Sequence, residues 1–97
     1  MREPLTVVLV HRDEPERCVR AGRAFLGQDV AVRLVVVDNA SRPAARDALA
    51  ARLPECELVA LDRNAGFGPA ANAGLARWMA TGTPPAGLTP FGLARFG

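Results

Sequence analysis

The sequence predicts an α/β fold: a three-layer αβα half-sheet of parallel strands, ordered βαβαβα and Rossmann-like in its connections. Three observations predict it. Apolar runs at 5–10, 32–37 and 57–61 are continuous rather than alternating, as expected of strands covered on both faces. Each run leads into a cluster of turn and cap formers, and each cluster into a segment with helical periodicity. This alternation calls for crossover connections, whose right-handedness lays the strands parallel.

The first strand is Leu5-Thr6-Val7-Val8-Leu9-Val10. Asp13 then offers an N-cap, with Pro15 in the first turn and Glu16 three residues after the cap, close to a capping box. Cys18, Gly22, Phe25 and Leu26 recur at helical spacing and give this helix one apolar face. The second strand, Val32 to Val37, ends at Asp38-Asn39-Ala40-Ser41. Ser41 can cap a second helix with Pro43 in its first turn, running through Ala44, Ala45, Ala48 and Leu49 towards Leu53-Pro54. The third strand is Glu57 to Leu61. A loop from Asp62 to Gly68 leads to a third helix starting near Pro69, with Ala71, Leu75, Trp78 and Met79 as its buried stripe. The first strand is expected at the sheet edge, with the second between the other two. An open apolar edge invites self-association. Residues 82–97 hold four Gly and three Pro and no acid, and read as an irregular tail after a domain of residues 1–81.

Composition excludes several classes. Of 97 residues, 49% are hydrophobic and 23% charged, which suits a globular chain. All twelve basic residues are Arg, scattered singly without a basic run, so no nucleic-acid surface is expected. Cys18 and Cys56 read as small buried apolar residues. One His and two Cys make no zinc pattern. The apolar stretches are too short for a transmembrane segment, and the start shows no signal peptide, so a cytoplasmic location is expected.

In an α/β sheet, ligands bind outside the carboxyl ends of the strands. Three segments lie there. After strand two, the Asp38 carboxylate can accept from a base imide N–H or from ribose hydroxyls. Equally, Asp38 and Asn39 can form an Asx turn while Ser41 caps the helix. After strand three comes Asn64-Ala65-Gly66-Phe67-Gly68-Pro69-Ala70-Ala71-Asn72-Ala73-Gly74. Its glycines permit close backbone approach, and the helix that follows offers N–H groups to an anion. A tight turn with a helix-packing glycine reads equally well. The Gly-x-Gly-x-x-Ala spacing mimics a dinucleotide fingerprint, but it follows the wrong strand and no acid stands about twenty residues on, which disfavours a dinucleotide-dependent reductase. After strand one, His11 and Arg12 either line a base pocket or are exposed loop residues.

Together these segments resemble family 2 glycosyltransferases with a GT-A fold. The matching stretches are Val-Val-Leu-Val with a polar triplet, Val-Val-Val-Asp-Asn-Ala-Ser, and Asn-x-Gly-Phe-Gly-x-x-x-Asn-x-Gly-Leu, in that order, over roughly residues 5–81. The resemblance implies a nucleotide-diphosphate-sugar donor of uridine or thymidine type. It implies that Asp38 meets the base, that His11 and Arg12 line the same pocket, that Asn64, Gly66 and Asn72 shape the wall near the sugar, and that Asn39 and Gly68 belong to the same nucleotide-sugar site. Such enzymes use Mg²⁺ or Mn²⁺ held by a later acidic motif, with a further acid as base. Asp62 is the last acid here, so no cofactor is expected on this chain alone. The expectation is an inactive N-terminal fragment of a truncated GT-A domain, from a frameshifted or shortened gene. The alternative is a non-catalytic nucleotide-binding module or partner subunit.

Overall fold

A computed structural model describes residues 4–81 and 91–96, the side chains of 81 and 91–96 excepted. The described residues form seven elements. They are β1 (Leu5–His11), α1 (Pro15–Leu26), β2 (Val32–Asp38), α2 (Pro43–Arg52), β3 (Glu57–Ala60), α3 (Phe67–Thr81) and β4 (Phe91–Phe96). All strand pairings are parallel, in the order β3-β2-β1-β4. The architecture is the α/β half-sheet that the alternation predicts.

Two expectations are corrected. Residues 82–97 read as an irregular tail, yet 91–96 form β4, which pairs with β1 from Thr6↔Phe91 to His11↔Phe96. The first strand is therefore interior rather than an edge, and the outer strands are β3 and β4. Backbone pairing with β1 satisfies donors and acceptors that a local reading of a Gly-containing segment leaves out. Self-association through an exposed β1 loses its basis.

Two apolar clusters sandwich the sheet. On one face Val7, Leu9, Leu34 and Val36 meet Cys18 and Val19 of α1, Leu49 of α2 and Leu53. On the other, Val8, Val10, Val35 and Val37 meet Ala70 of α3. Because side chains alternate across a strand, one continuous apolar run supplies both faces. The α3 stripe turns out differently from its expected course. Ala70 and Gly74 are its buried positions, Leu75 and Trp78 are half-buried, and Met79 is exposed. A Cβ on Gly74 would lie 2.5 Å from Val8 Cγ1 and 3.0 Å from Val37 Cγ2. Only glycine lets α3 come this close, and the face that meets the sheet is that of Ala70 and Gly74.

At the opposite end from the strand-end loops, Arg33 at the start of β2 holds Glu57 of β3 with two hydrogen bonds, of 2.6 and 2.9 Å. It also reaches the Trp78 carbonyl at 3.4 Å. This pairing keeps the Glu57 carboxyl below its usual range, chiefly through the Arg33 hydrogen bonds.

Candidate functional site

The parallel register sets His11, the last residue of β1, beside Asp38, the last of β2. Both are completely buried. His11 Nδ1 lies 3.0 Å from Asp38 Oδ1, and the Glu14 backbone N–H donates to His11 Nε2 at 3.1 Å. A ring nitrogen that accepts carries no proton, so the proton sits on Nδ1 and is donated to Asp38. Ser41 completes the cluster: its hydroxyl donates to Asp38 Oδ1 at 2.5 Å, and its N–H donates to Oδ2 at 3.3 Å.

Asp38 therefore receives three protein donors and has no exposed surface. The sequence reading aims this carboxylate at a nucleotide base; here it faces inward. His11 is not the exposed loop residue of one reading made from the sequence. Arg12 beside it is exposed.

The two expected caps are exchanged between loops. Asp13 does not cap α1, whose N-cap residue is Glu14 and makes no side-chain bond. Its carboxylate instead accepts the Arg42 N–H at 2.8 Å, at the start of α2. Its own N–H donates to Ser41 Oγ at 2.9 Å. The Arg42 N–H, followed by the nearby guanidinium, holds the Asp13 carboxyl below its usual range. Ser41 in turn does not cap α2, whose N-cap is Arg42. The loops after β1 and β2 are thus cross-tied, with Asp13 at φ 54° and Ala40 at φ 60°, both in the left-handed region.

Asn39, 5% exposed, ties the second loop to the third. Its Nδ2 donates to Asn64 Oδ1 at 2.9 Å and to the Gly66 carbonyl at 3.3 Å. Its Oδ1 accepts the Ala65 N–H at 2.9 Å. Asn64 Oδ1 also accepts the Gly66 N–H at 3.0 Å. Gly66 sits at φ 80°, a conformation that favours glycine. A Cβ on Gly68 would meet nothing within 4 Å, so no packing demands a glycine there. α3 opens at Phe67, two residues before the expected Pro69, and its first turn stands beside this loop. Asn72 lies on α3 and is exposed.

A divalent cation of the kind the resemblance implies needs one or two carboxylates alongside phosphate. Among the described residues, no group of three or more His, Cys, Asp or Glu is arranged so that it could hold a metal ion. Asp38 is filled by His11 and Ser41, and Asp13 is taken by Arg42. These residues do not make a donor set for such a metal. Among the described residues, no helix is long and apolar enough to cross a membrane.

Known proteins resemble this chain in part. In an alignment of 83 positions that covers 78% of its length, it is 41% identical to the succinoglycan biosynthesis protein ExoO of Rhizobium meliloti (strain 1021). That match covers 24% of the relative, so the chain spans about a quarter of that protein's length. No protein-family model matches the chain.

Proposed function

We propose that this chain forms the nucleotide-sugar-binding part of a glycosyltransferase of family 2 type, with a uridine or thymidine diphosphate sugar as donor. One observation carries the reading. Three loops at the carboxyl edge of a parallel sheet are cross-tied to one another, and they flank the first turn of α3 beside a Gly66–Gly68 segment whose second glycine no packing requires. Ligands of α/β sheets bind at this edge, and a helix N-terminus favours the negative charge of a diphosphate. The part that the similar protein plays in succinoglycan biosynthesis agrees with sugar chemistry. In such a transfer the oxygen of an acceptor hydroxyl bonds to the anomeric carbon as the bond to the diphosphate breaks, and the hydroxyl proton passes to a base.

The roles within the site differ from those the sequence suggests. Asp38 and His11 hold the loops from within. Arg12 and Asn72, both exposed, together with the first turn of α3, remain to meet the ligand. A second reading, a nucleotide-binding module without catalysis, is favoured by Asp13 and Asp38, whose carboxylates are committed to internal partners and are not offered as a base.

Calorimetric titration with uridine and thymidine diphosphate tests the proposal, with Gly68→Ala as the paired variant. Alanine in the first turn of a helix, with open space around it, should leave stability unchanged or raise it by up to about 1 kcal/mol. Weaker nucleotide binding by this equally stable variant supports the site. Failure of the wild type to bind either nucleotide removes the reading. Donor turnover, measured beside binding, separates enzyme from module.

A further inference from the structure

We infer that Asn39 and Asn64 form a clamp that sets the position of the α3 N-terminus, with Asn39 a positioning residue and not a base contact. The inference rests on the nucleotide-binding reading and assigns the division of labour within that site.

The hydrogen bonds leave the Asn39 amide little else to do, while the exposed Asn64 side chain joins them through its oxygen. Asn39 uses both ends of its side chain on the loop after β3, as donor to Asn64 Oδ1 and the Gly66 carbonyl and as acceptor from the Ala65 N–H. Asn64 Oδ1 takes two donors, Asn39 Nδ2 and the Gly66 N–H. Each amide oxygen faces a backbone N–H, so neither side chain can flip without setting donor against donor. The clamp spans 25 residues of sequence and grips both sides of Gly66, the one described glycine held at positive φ. Gly66 also begins the helical hydrogen bonding, its carbonyl accepting the Ala70 N–H at 3.3 Å. The side chain that fixes Gly66 therefore fixes the direction in which α3 starts. On the other side, the Asn39 N–H is bonded to the His11 carbonyl at 2.8 Å, which anchors the clamp to the interior of the sheet. A polar residue that met a ligand directly would keep an unused donor or acceptor for it, and Asn39 is 5% exposed with both ends engaged.

The test combines two readouts on the protein carrying Asn39→Ala, Asn64→Ala, both together, and Asn39→Asp. In the free protein, amide hydrogen exchange is followed at Ala65 and Gly66. In parallel, uridine diphosphate is titrated and the melting temperature recorded. Under the clamp, Asn39→Ala speeds exchange at Ala65 and Gly66, weakens binding by about tenfold and lowers the melting temperature. The double variant binds no worse than the weaker single one, because both residues serve one connection. Asn39→Asp does not restore binding, because a carboxylate keeps the Ala65 bond but turns an acceptor towards Asn64 Oδ1 and the Gly66 carbonyl. Direct base recognition gives the reverse pattern: additive losses, unchanged exchange in the free protein, and Asn39→Asp at least as tight as wild type. That pattern overturns the clamp. Exchange at Ala65 and Gly66 that is already fast in wild type, or unchanged in Asn39→Ala, overturns it without any ligand. Absence of nucleotide binding by wild type refutes the proposed function instead.

Discussion

Replacing Asp38 by Ala should cost this protein a large share of its stability, whatever it does to ligand binding. The carboxylate takes the His11 Nδ1–H, the Ser41 hydroxyl and the Ser41 N–H, in a setting with no solvent access. Removing an acceptor strands its donors at about 1–3 kcal/mol per unsatisfied buried group. The Ser41 hydroxyl can rotate, and its oxygen lies 3.4 Å from His11 Nδ1, so part of the loss is recovered. Two groups left poorly paired set the expected cost at about 2–6 kcal/mol. A chain of this length has roughly 5–15 kcal/mol in total, so the variant loses a large share of its stability. At about 4–8 °C per kcal/mol, a loss near 3 kcal/mol lowers the melting temperature by roughly 12–24 °C. Asp38→Asn should fall between the two, since its amide oxygen still accepts while its NH₂ opposes the Ser41 N–H. Urea denaturation should show the same ranking as a shift in midpoint at constant slope. The reasoning is refuted if Asp38→Ala melts within a degree or two of wild type while nucleotide affinity falls tenfold. That outcome would return Asp38 to the ligand-facing role that its sequence motif suggests.

Three further outcomes follow from the packing and the charges. Gly74→Ala adds a carbon about 1 Å inside the ordinary contact distance of Val8; overpacking of about 1–3 kcal/mol outweighs the helix gain of about 1 kcal/mol, so thermal melts should fall, and a rise would contradict the close approach. The Glu57 carboxyl is held below its ordinary 4.5 mainly by Arg33, so its contribution is whole above that pH and lost as pH falls through the lower folded value. Melts from pH 7 to pH 3 should show Glu57→Gln less stable than wild type at neutrality and the gap closing in acid, whereas a constant gap would exclude the ion pair as its cause. Burial pushes the Cys18 thiol up to about 12, so a thiol reagent at pH 8 should leave it unmodified in the native protein and label it in urea.

The strands and helices were legible because their signals are local. A continuous apolar run marks a strand buried on both faces, and Val7–Val10 and Leu34–Val37 are buried throughout. β4 carries no such signal. Its window contains Gly92 and Arg95 and follows Pro90, and it becomes a strand through pairing with β1, some 85 residues away in sequence. The site shows the same division. Asp38, His11, Asn39 and Asn64 could be singled out by residue type and place after a strand. Their partners could not, because the sheet register that sets position 11 beside position 38 is a tertiary property. Asp13 and Ser41 illustrate the failure most directly. Each has the chemistry of a cap for its own helix, and a local reading assigns it there. In the fold each serves the other loop instead, Asp13 taking the Arg42 N–H and Ser41 taking the Asp13 N–H.

That exchange bears on how such an edge can recognise anything at all. Loops at the ends of parallel strands carry backbone groups that the ladder no longer satisfies, and each must find a partner or water. Here side chains from neighbouring loops supply the partners: His11 for Glu14, Asp13 for Arg42, Ser41 for Asp13, and Asn39 for Ala65. The polar residues that look most like ligand contacts are therefore the ones consumed in holding the loops in place. Whatever binds at this edge is then met by groups outside that internal account: the exposed Arg12 and Asn72, and the start of α3, where Pro69 carries no N–H and the Ala70 N–H is bonded to the Gly66 carbonyl. Substitutions that disturb recognition should consequently fall into two kinds: those at Asn39, Gly66 or Gly74, which act by moving backbone, and those at Arg12 or Asn72, which delete a contact and leave the loops in place.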